Sequence, residues 1–374
     1  MVVSMYAIFK RICFLLCLFF SFSCTDKKTE VINDLPVKYK GNAELQVINK
    51  KILDNPSVDS LYRERALFYL MLKDFELAEG DAGRALDLDT MNVKNYLFLS
   101  DVFYQTNQTR KAKETLERCL RNLPQDVEAN LKMAELYYYV RKCEVSITHL
   151  NSVIKTDPYN SKAYFLKGMN FLELGDTTKA VSSFQTAVEQ DDQYFKAYMQ
   201  LARLYALQRN RLALSYFDNA LRISPASTDA LCGKSKFLQD AGMVKEAKEG
   251  YLRSLQVDSN CVEGAYNLGA LVLKYDNTPD IAKVYFDRAL IALSRFSEDG
   301  TFLVQDTLRV RVSYLSYSAY RFDVAKTIFA RGVCSEKLKD KISAAKDYRM
   351  ALRVYENFEP ALSALNAMGN PATN

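Results

Sequence analysis

One small side chain returns along this chain at an almost constant interval. Ala78, Ala112, Ser146, Ala180, Ala213, Ala247 and Ala282 stand 34, 34, 34, 33, 34 and 35 residues apart. Seven residues after each comes Ala85, Cys119, Val153, Ala187, Ala220, Ser254 or Ala289, and the next position is always aliphatic: Leu86, Leu120, Ile154, Val188, Leu221, Leu255, Leu290. Eleven to thirteen residues before each lies another small residue: Ala66, Ser100, Ala134, Gly168, Ala202, Ser235, Gly269. A fixed period of this length means one supersecondary unit copied many times, each copy needing its neighbours to bury its apolar face.

The stretch Ser161 to Asp192 displays the unit. Tyr164, Gly168 and Phe171 fall on one face of a first helix, Gly175-Asp176 make a turn, and Ala180, Phe184, Ala187 and Val188 stripe a second helix. Small residues let two helix backbones approach closely. Large ones four residues into the second helix (Leu116, Leu150, Phe184, Phe217, Tyr251, Phe286) fill the wedge between neighbouring hairpins. Pro124, Pro158 and Pro225 stand where helices must stop.

This helix–turn–helix pattern resembles the tetratricopeptide repeat (TPR) family over roughly Asp59 to Leu293, with a further copy near the C-terminus. The chain has no tryptophan, so the aromatic opening the first helix is Tyr62, Tyr96, Tyr164 or Tyr198, and Asn130 takes its place in the third unit; Ala82 and Val153 also depart from the pattern. The resemblance implies an all-α TPR α-solenoid, a right-handed superhelix of hairpins whose first helices line a concave groove. On its groove positions the chain carries Lys94, Tyr104, Glu135, Tyr138, Tyr139, Phe165, Met169, Glu173, Arg203, Lys236, Gln239 and Tyr266. Aromatics and methionine beside both signs of charge suit an extended peptide or protein segment. The same residues also have a plainer reading, as packing between successive first helices. The family's lysine and asparagine clamp for peptide C-termini is absent.

The N-terminus lies outside the repeat. Lys10 and Arg11 precede an apolar run from Ile12 to Phe22, the length of a signal-peptide core and short of the roughly 20 residues that span a bilayer. Residues 1–23 therefore read as an export signal. Ser21-Phe22-Ser23-Cys24 resembles the lipobox of bacterial lipoproteins, with Cys24 as the lipidated residue, although Ser21 stands where an aliphatic residue is usual. Cleavage after Ser23 without lipidation, leaving a soluble secreted chain, is the alternative. Residues 24–42 read as the lipidated cysteine and a tether of at most ~60 Å. Leu45, Ile48 and Ile52 then mark a capping half-repeat that opens a solenoid over 43–293.

After the seventh unit the register breaks. The eighth copy is Ala344, with Gly332 before it and Tyr348, Ala351 and Leu352 after, and its distance from Ala282 is 62 residues, 34 plus 28. An insertion over 294–323 accounts for the excess. From Thr307 to Tyr314 apolar and polar residues alternate, the period of a half-buried strand and of a small β-hairpin near 296–322; Val310, Tyr314 and Tyr317 also have helical spacing. A final TPR and capping helix over 324–368 and a frayed tail, 369–374, complete the chain.

The charge is +5, and residues 1–23 hold Lys10 and Arg11 with no acid, so without them it is +3, which gives no footprint for nucleic acid. Beyond Cys24 the cysteines are Cys119, Cys143, Cys232, Cys261 and Cys334, an odd number implying neither a disulfide framework nor a metal site; Cys232 and Cys261 sit in adjacent units, where a bridge is conceivable. His149 is the lone histidine and reads as an idle surface residue, and Glu128, Glu135, Asp229 and Asp240 read as a solvated face. No nucleophile–base pair, phosphate loop or cofactor motif is legible, so a non-enzyme is expected. The composite resembles TPR lipoproteins of bacterial envelopes of the Bacteroidetes type. That resemblance implies a scaffold of the outer membrane facing the periplasm, anchored by its lipid and binding a protein or peptide of an envelope complex. A secreted adaptor and a carrier of envelope glycan are the alternatives.

Overall fold

The computed structural model describes residues 35–294 and 314–368. The expected export signal, Cys24, most of the alternating stretch of the insertion and the tail lie outside the described residues. Two compact units divide between Leu174 and Gly175.

The first unit opens with a 3₁₀ turn, Val37–Tyr39, and continues with α1 (Ala43–Asp54), α2 (Asp59–Met71), α3 (Phe75–Leu88), α4 (Val93–Gln105), α5 (Thr109–Asn122), α6 (Val127–Tyr139), α7 (Cys143–Thr156) and α8 (Ser161–Glu173). The second holds α9 (Thr177–Gln190), α10 (Phe195–Leu207), α11 (Leu212–Ile223), α12 (Thr228–Asp240), α13 (Val244–Val257), α14 (Val262–Leu271), α15 (Pro279–Ser294), α16 (Tyr314–Lys337), α17 (Lys341–Val354) and α18 (Glu359–Met368). No strand occurs among the described residues.

Each unit is a run of antiparallel hairpins, and the recurring small and large residues are its core. Ala78, Ala112, Ala213, Ala247, Ala282 and Ala344 are buried completely. Leu116, Phe217, Tyr251, Phe286 and Tyr348, four residues on, are at most 1% exposed. Burying each of these large side chains is worth about 1.5–3 kcal/mol. The small residues opposite are sterically required: a Cβ on Gly332 would stand 2.7 Å from the Tyr348 ring, and one on Gly269 3.1 Å from Phe286. In the third repeat Ser146 replaces the alanine, and its hydroxyl is satisfied, donating to Ala134 O at 2.7 Å and accepting from Asn170 Nδ2 at 3.0 Å.

The hairpin turns share one device. Lys73, Asn107, Arg141, Gly175, Arg209, Gly242 and Lys339 all have positive φ, each in the turn that follows a first helix. After Lys73, Asn107, Arg141, Arg209, Gly242 and Lys339 the N–H one residue later reaches back to close the helix end, as in Gln108 N to Phe103 O at 2.8 Å and Met243 N to Leu238 O at 2.9 Å. The two irregular steps have local causes. In the 35-residue step the extra residue is taken up by a π-helical turn, Val272–Asp276, that extends α14. In the 33-residue step α11 is shortened to 12 residues.

Two segments differ from the sequence expectation. Residues 35–42 are not free tether: Leu35 is buried with Ala78 and Ala82, Tyr39 Oη donates to Asp74 Oδ2 at 2.9 Å, and Lys38 pairs with Asp74 at 2.5 Å. An apolar residue and a tyrosine without any period escape a periodicity reading, yet they cover the apolar end of the first hairpin. Within the expected insertion, residues 314–323 belong to α16, a helix of 24 residues rather than a strand; the segment 295–313 lies outside the described residues.

Candidate partner-binding face

The first helices α2, α4, α6 and α8 of the first unit follow one another on one side of it, and ion pairs tie neighbours together. Lys132 of α6 reaches Asp101 of α4 at 2.6 Å, and Lys162 of α8 reaches Glu135 of α6 at 2.7 Å. Above the first of these pairs the Tyr104 and Tyr139 rings meet edge to face, centroids 5.4 Å apart. They are 42% and 66% exposed, so the pair presents aromatic surface to solvent. Beneath them opens a cleft of about 130 Å³ lined by Ser100, Asp101, Tyr104, Leu116, Lys132, Glu135 and Leu136. Its floor is apolar, its rim carries both charges, and its lip is aromatic. Burial, then the neighbouring Tyr139, pushes the Tyr104 phenol above its ordinary value, so it is a neutral hydrogen-bonding group at any physiological pH.

Of the expected groove residues, Tyr104, Glu135 and Tyr139 therefore come together. Tyr138 is half-buried on the adjoining face of α6, its phenol raised by burial and then by the charge of Glu173. Phe165 and Met169 are half-buried on α8, Glu173 is exposed at its end, and Lys94 is exposed in the first turn of α4.

In the second unit Arg203 of α10 pairs with Asp229 of α12 at 2.6 Å, repeating the helix-to-helix pairing. Lys236 pairs along α12 with Asp240 at 2.8 Å. Gln239 and Tyr266 are engaged in packing: Gln239 Oε1 accepts from Tyr251 Oη at 3.3 Å, and Tyr266 lies 5.6 Å from Phe286 with Lys326 Nζ 4.1 Å above its ring. Burial pushes the Tyr266 phenol up to about 12.

Sequence reasoning missed Asp101, Lys132 and Lys162, and read Asp229 as an idle solvated carboxylate. A signal existed: opposite charges 26 to 31 residues apart on consecutive first helices. His149 requires a correction. It is half-buried, stacked on Tyr137 at 5.7 Å and bonded to Asn130, so it is part of the packing and not an idle surface group.

A family model described as the FAT domain matches residues 84–266, just under half of the chain. BBSome complex member BBS4 of Bos taurus is 24% identical over 172 residues, 46% of this chain and 33% of that protein. Anaphase-promoting complex subunit 3 of Schizosaccharomyces pombe is 20% identical over 263 residues, 70% of this chain and 38% of that protein. The chain thus spans well under half the length of either relative. The solved C-terminal part of a TPR repeat-containing protein from Cytophaga hutchinsonii superposes with a TM-score of 0.55 at 14% identity, over 71% of this chain and 98% of that one. That likeness is one of fold, and it agrees with the hairpin order: the chain has the TPR solenoid fold.

Proposed function

We propose that this protein is a non-enzymatic scaffold that holds a peptide or protein segment against the α4–α6–α8 face. The observation that carries the reading is the exposed Tyr104–Tyr139 pair above an apolar cleft whose rim is already ion-paired. Paired Lys132 and Glu135 offer no strong isolated charge, which suits a neutral or mixed peptide with an apolar anchor better than a polyanion. The two relatives named as members of complexes support a scaffold role.

The scaffold works at a bacterial envelope, outer-membrane anchored and facing the periplasm, through acylation of Cys24 after removal of residues 1–23. The docked segment sharpens this picture. With residues 35–42 fixed on the first hairpin, ten residues separate them from Cys24, so the anchor could lie no farther than about 35 Å away. The partner would then be engaged close to the membrane surface.

Two measurements test the reading. A photo-reactive amino acid at Tyr139 in the native envelope should capture a polypeptide, and Tyr104→Ala should reduce that capture at least tenfold. Competition by soluble glycan and not by peptide would transfer the role to a polymer carrier. Intact mass of the membrane-fraction protein should show acyl chains on a chain beginning at Cys24, lost in Cys24→Ala; a soluble chain without added mass would remove the anchor and leave a diffusing adaptor.

A further inference from the structure

Two thiols from adjacent repeats of the second unit face each other. Cys232 sits on α12 and Cys261 is the N-cap residue of α14, one hairpin later. Their sulfurs are 3.6 Å apart. Cys232 is 1% exposed, whereas Cys261 is partly open to solvent. The Cys261 sulfur accepts the Gly264 N–H at 3.4 Å, at the positive end of the helix dipole. The backbone is kept close there by the absence of a side chain, since a Cβ on Gly264 would stand 3.2 Å from that sulfur and 2.2 Å from Ser254 Oγ.

We propose that Cys232 and Cys261 form a redox-active pair that closes to a disulfide by exchange with a disulfide-bearing oxidant, with Cys261 as the attacking sulfur. A partly exposed sulfur at a helix N-terminus is placed to attack, and a buried thiol in contact with it is placed to resolve. The Cys261 thiolate attacks one sulfur of the oxidant RSSR, forming a mixed disulfide and releasing RS⁻. Cys232 then gives up its proton and attacks the Cys261 sulfur, releasing the second RS⁻. The two thiolates take up the two protons, so one oxidant disulfide is reduced to two thiols and one protein disulfide is formed. Sulfurs 3.6 Å apart need a side-chain rotation to reach a bond of about 2.05 Å.

The electrostatics agree in direction. The hydrogen bond from Cys232 lowers the Cys261 thiol first, with the Gly264 N–H adding to it, while the same contact and then burial raise Cys232. Cys119 and Cys334 differ, both pushed up to about 11 with burial as the main cause. The bond would join α12 to the first turn of α14, fixing two neighbouring hairpins to each other.

The test treats the purified full-length protein with oxidised glutathione, quenches with an alkylating agent and maps the peptides. A cross-linked peptide pair joining Cys232 and Cys261, released by reductant, is expected. Cys232→Ala should instead trap a glutathione adduct on Cys261, and Cys261→Ala should slow modification of Cys232 at least tenfold. The proposal is overturned if the untreated alkylation pattern persists in the wild-type protein, or if Cys232 reacts equally fast without Cys261.

Discussion

His149 Nδ1–H donates a hydrogen bond of 2.9 Å to Asn130 Oδ1, and Asn130 in turn donates from Nδ2 to the carbonyls of Pro124 and Asp126 at 2.9 and 2.8 Å. Asn130 occupies the place where other repeats begin their first helix with an aromatic, and the imidazole stacked on Tyr137 belongs to the same network. Burial lowers the His149 pKa below its ordinary value, so the neutral ring is the folded form. The unfolded chain therefore binds the extra proton first. The network contributes fully above the unfolded value near 6.5, and stability is lost as pH falls below it toward the folded value. Because His149 is the chain's lone histidine, a single imidazole resonance reports it. Its midpoint should lie below 6.5 in the folded protein and fall further in Asn130→Ala, which removes the acceptor of the imidazole N–H; the orphaned N–H should also cost about 1–3 kcal/mol.

The hairpins were legible because their physics is periodic: Ala78, Leu116, Gly332 and Tyr348 are constrained by close helix approach, and that constraint returns every repeat. What periodicity omits is whatever happens once. Leu35 and Tyr39 dock without a repeat to announce them, and Asn130 with His149 solves a local vacancy by chemistry instead of volume. The face was partly legible for the same reason. Tyr104, Glu135 and Tyr139 stand on first-helix positions that the repeat pattern singles out, but the ion pairs beside them, Lys132–Asp101 and Lys162–Glu135, depend on side chains reaching between helices, which a stripe on one helix does not encode.

Release of the docked N-terminal segment should be controllable at one carboxylate. Burial raises Asp74, but the bonds from Lys38 and Tyr39 outweigh it and leave its pKa below the ordinary value. Its contribution is therefore present above about pH 3.8 and lost as pH falls through the folded value. Asp74→Ala should lower the protection factors of the Tyr39, Lys40 and Asn42 amides roughly two- to tenfold, and acidification of the wild type should lower them likewise once the slower intrinsic exchange at acid pH is divided out. Unchanged protection in the variant would mean that Leu35 alone holds the segment.

The hairpin α2–α3 and the hairpin α16–α17 share a buried ion pair at the same register. Arg65 is bidentate on Asp81, both bonds 2.7 Å, with side chains 3% and 4% exposed. Arg331 is bidentate on Asp347 at 2.9 and 2.6 Å, with the arginine 24% exposed. Removing one partner of the drier pair strands a charge, so Asp81→Ala should cost about 3–5 kcal/mol. Asp347→Ala should cost less, because Arg331 keeps Asp287 at 3.0 Å and some water. Replacing both Arg65 and Asp81 by apolar residues of similar volume should cost less than Asp81→Ala, the remaining loss coming from Asn49 Oδ1, which Arg65 also satisfies. Hydrogen exchange resolved by hairpin distinguishes these outcomes better than one global melt, since repeats unfold in part.

The turn residues make the sharpest test of backbone strain. Gly242 has φ 81° and its missing Cβ would meet nothing within 4 Å, so Gly242→Ala introduces no clash and isolates the conformational penalty. That penalty should be about 1–2 kcal/mol for a single left-handed residue. Arg209 holds the equivalent place at φ 54° with a side chain, paying that strain already. Arg209→Gly should therefore be neutral or stabilising by up to about 1 kcal/mol, the relief of strain being partly offset by the greater freedom of glycine in the unfolded chain. Opposite signs for the two substitutions in urea unfolding would place the cost in the backbone. Equal losses would place it in side-chain packing, because Arg209 would then contribute contacts that outweigh its strained φ.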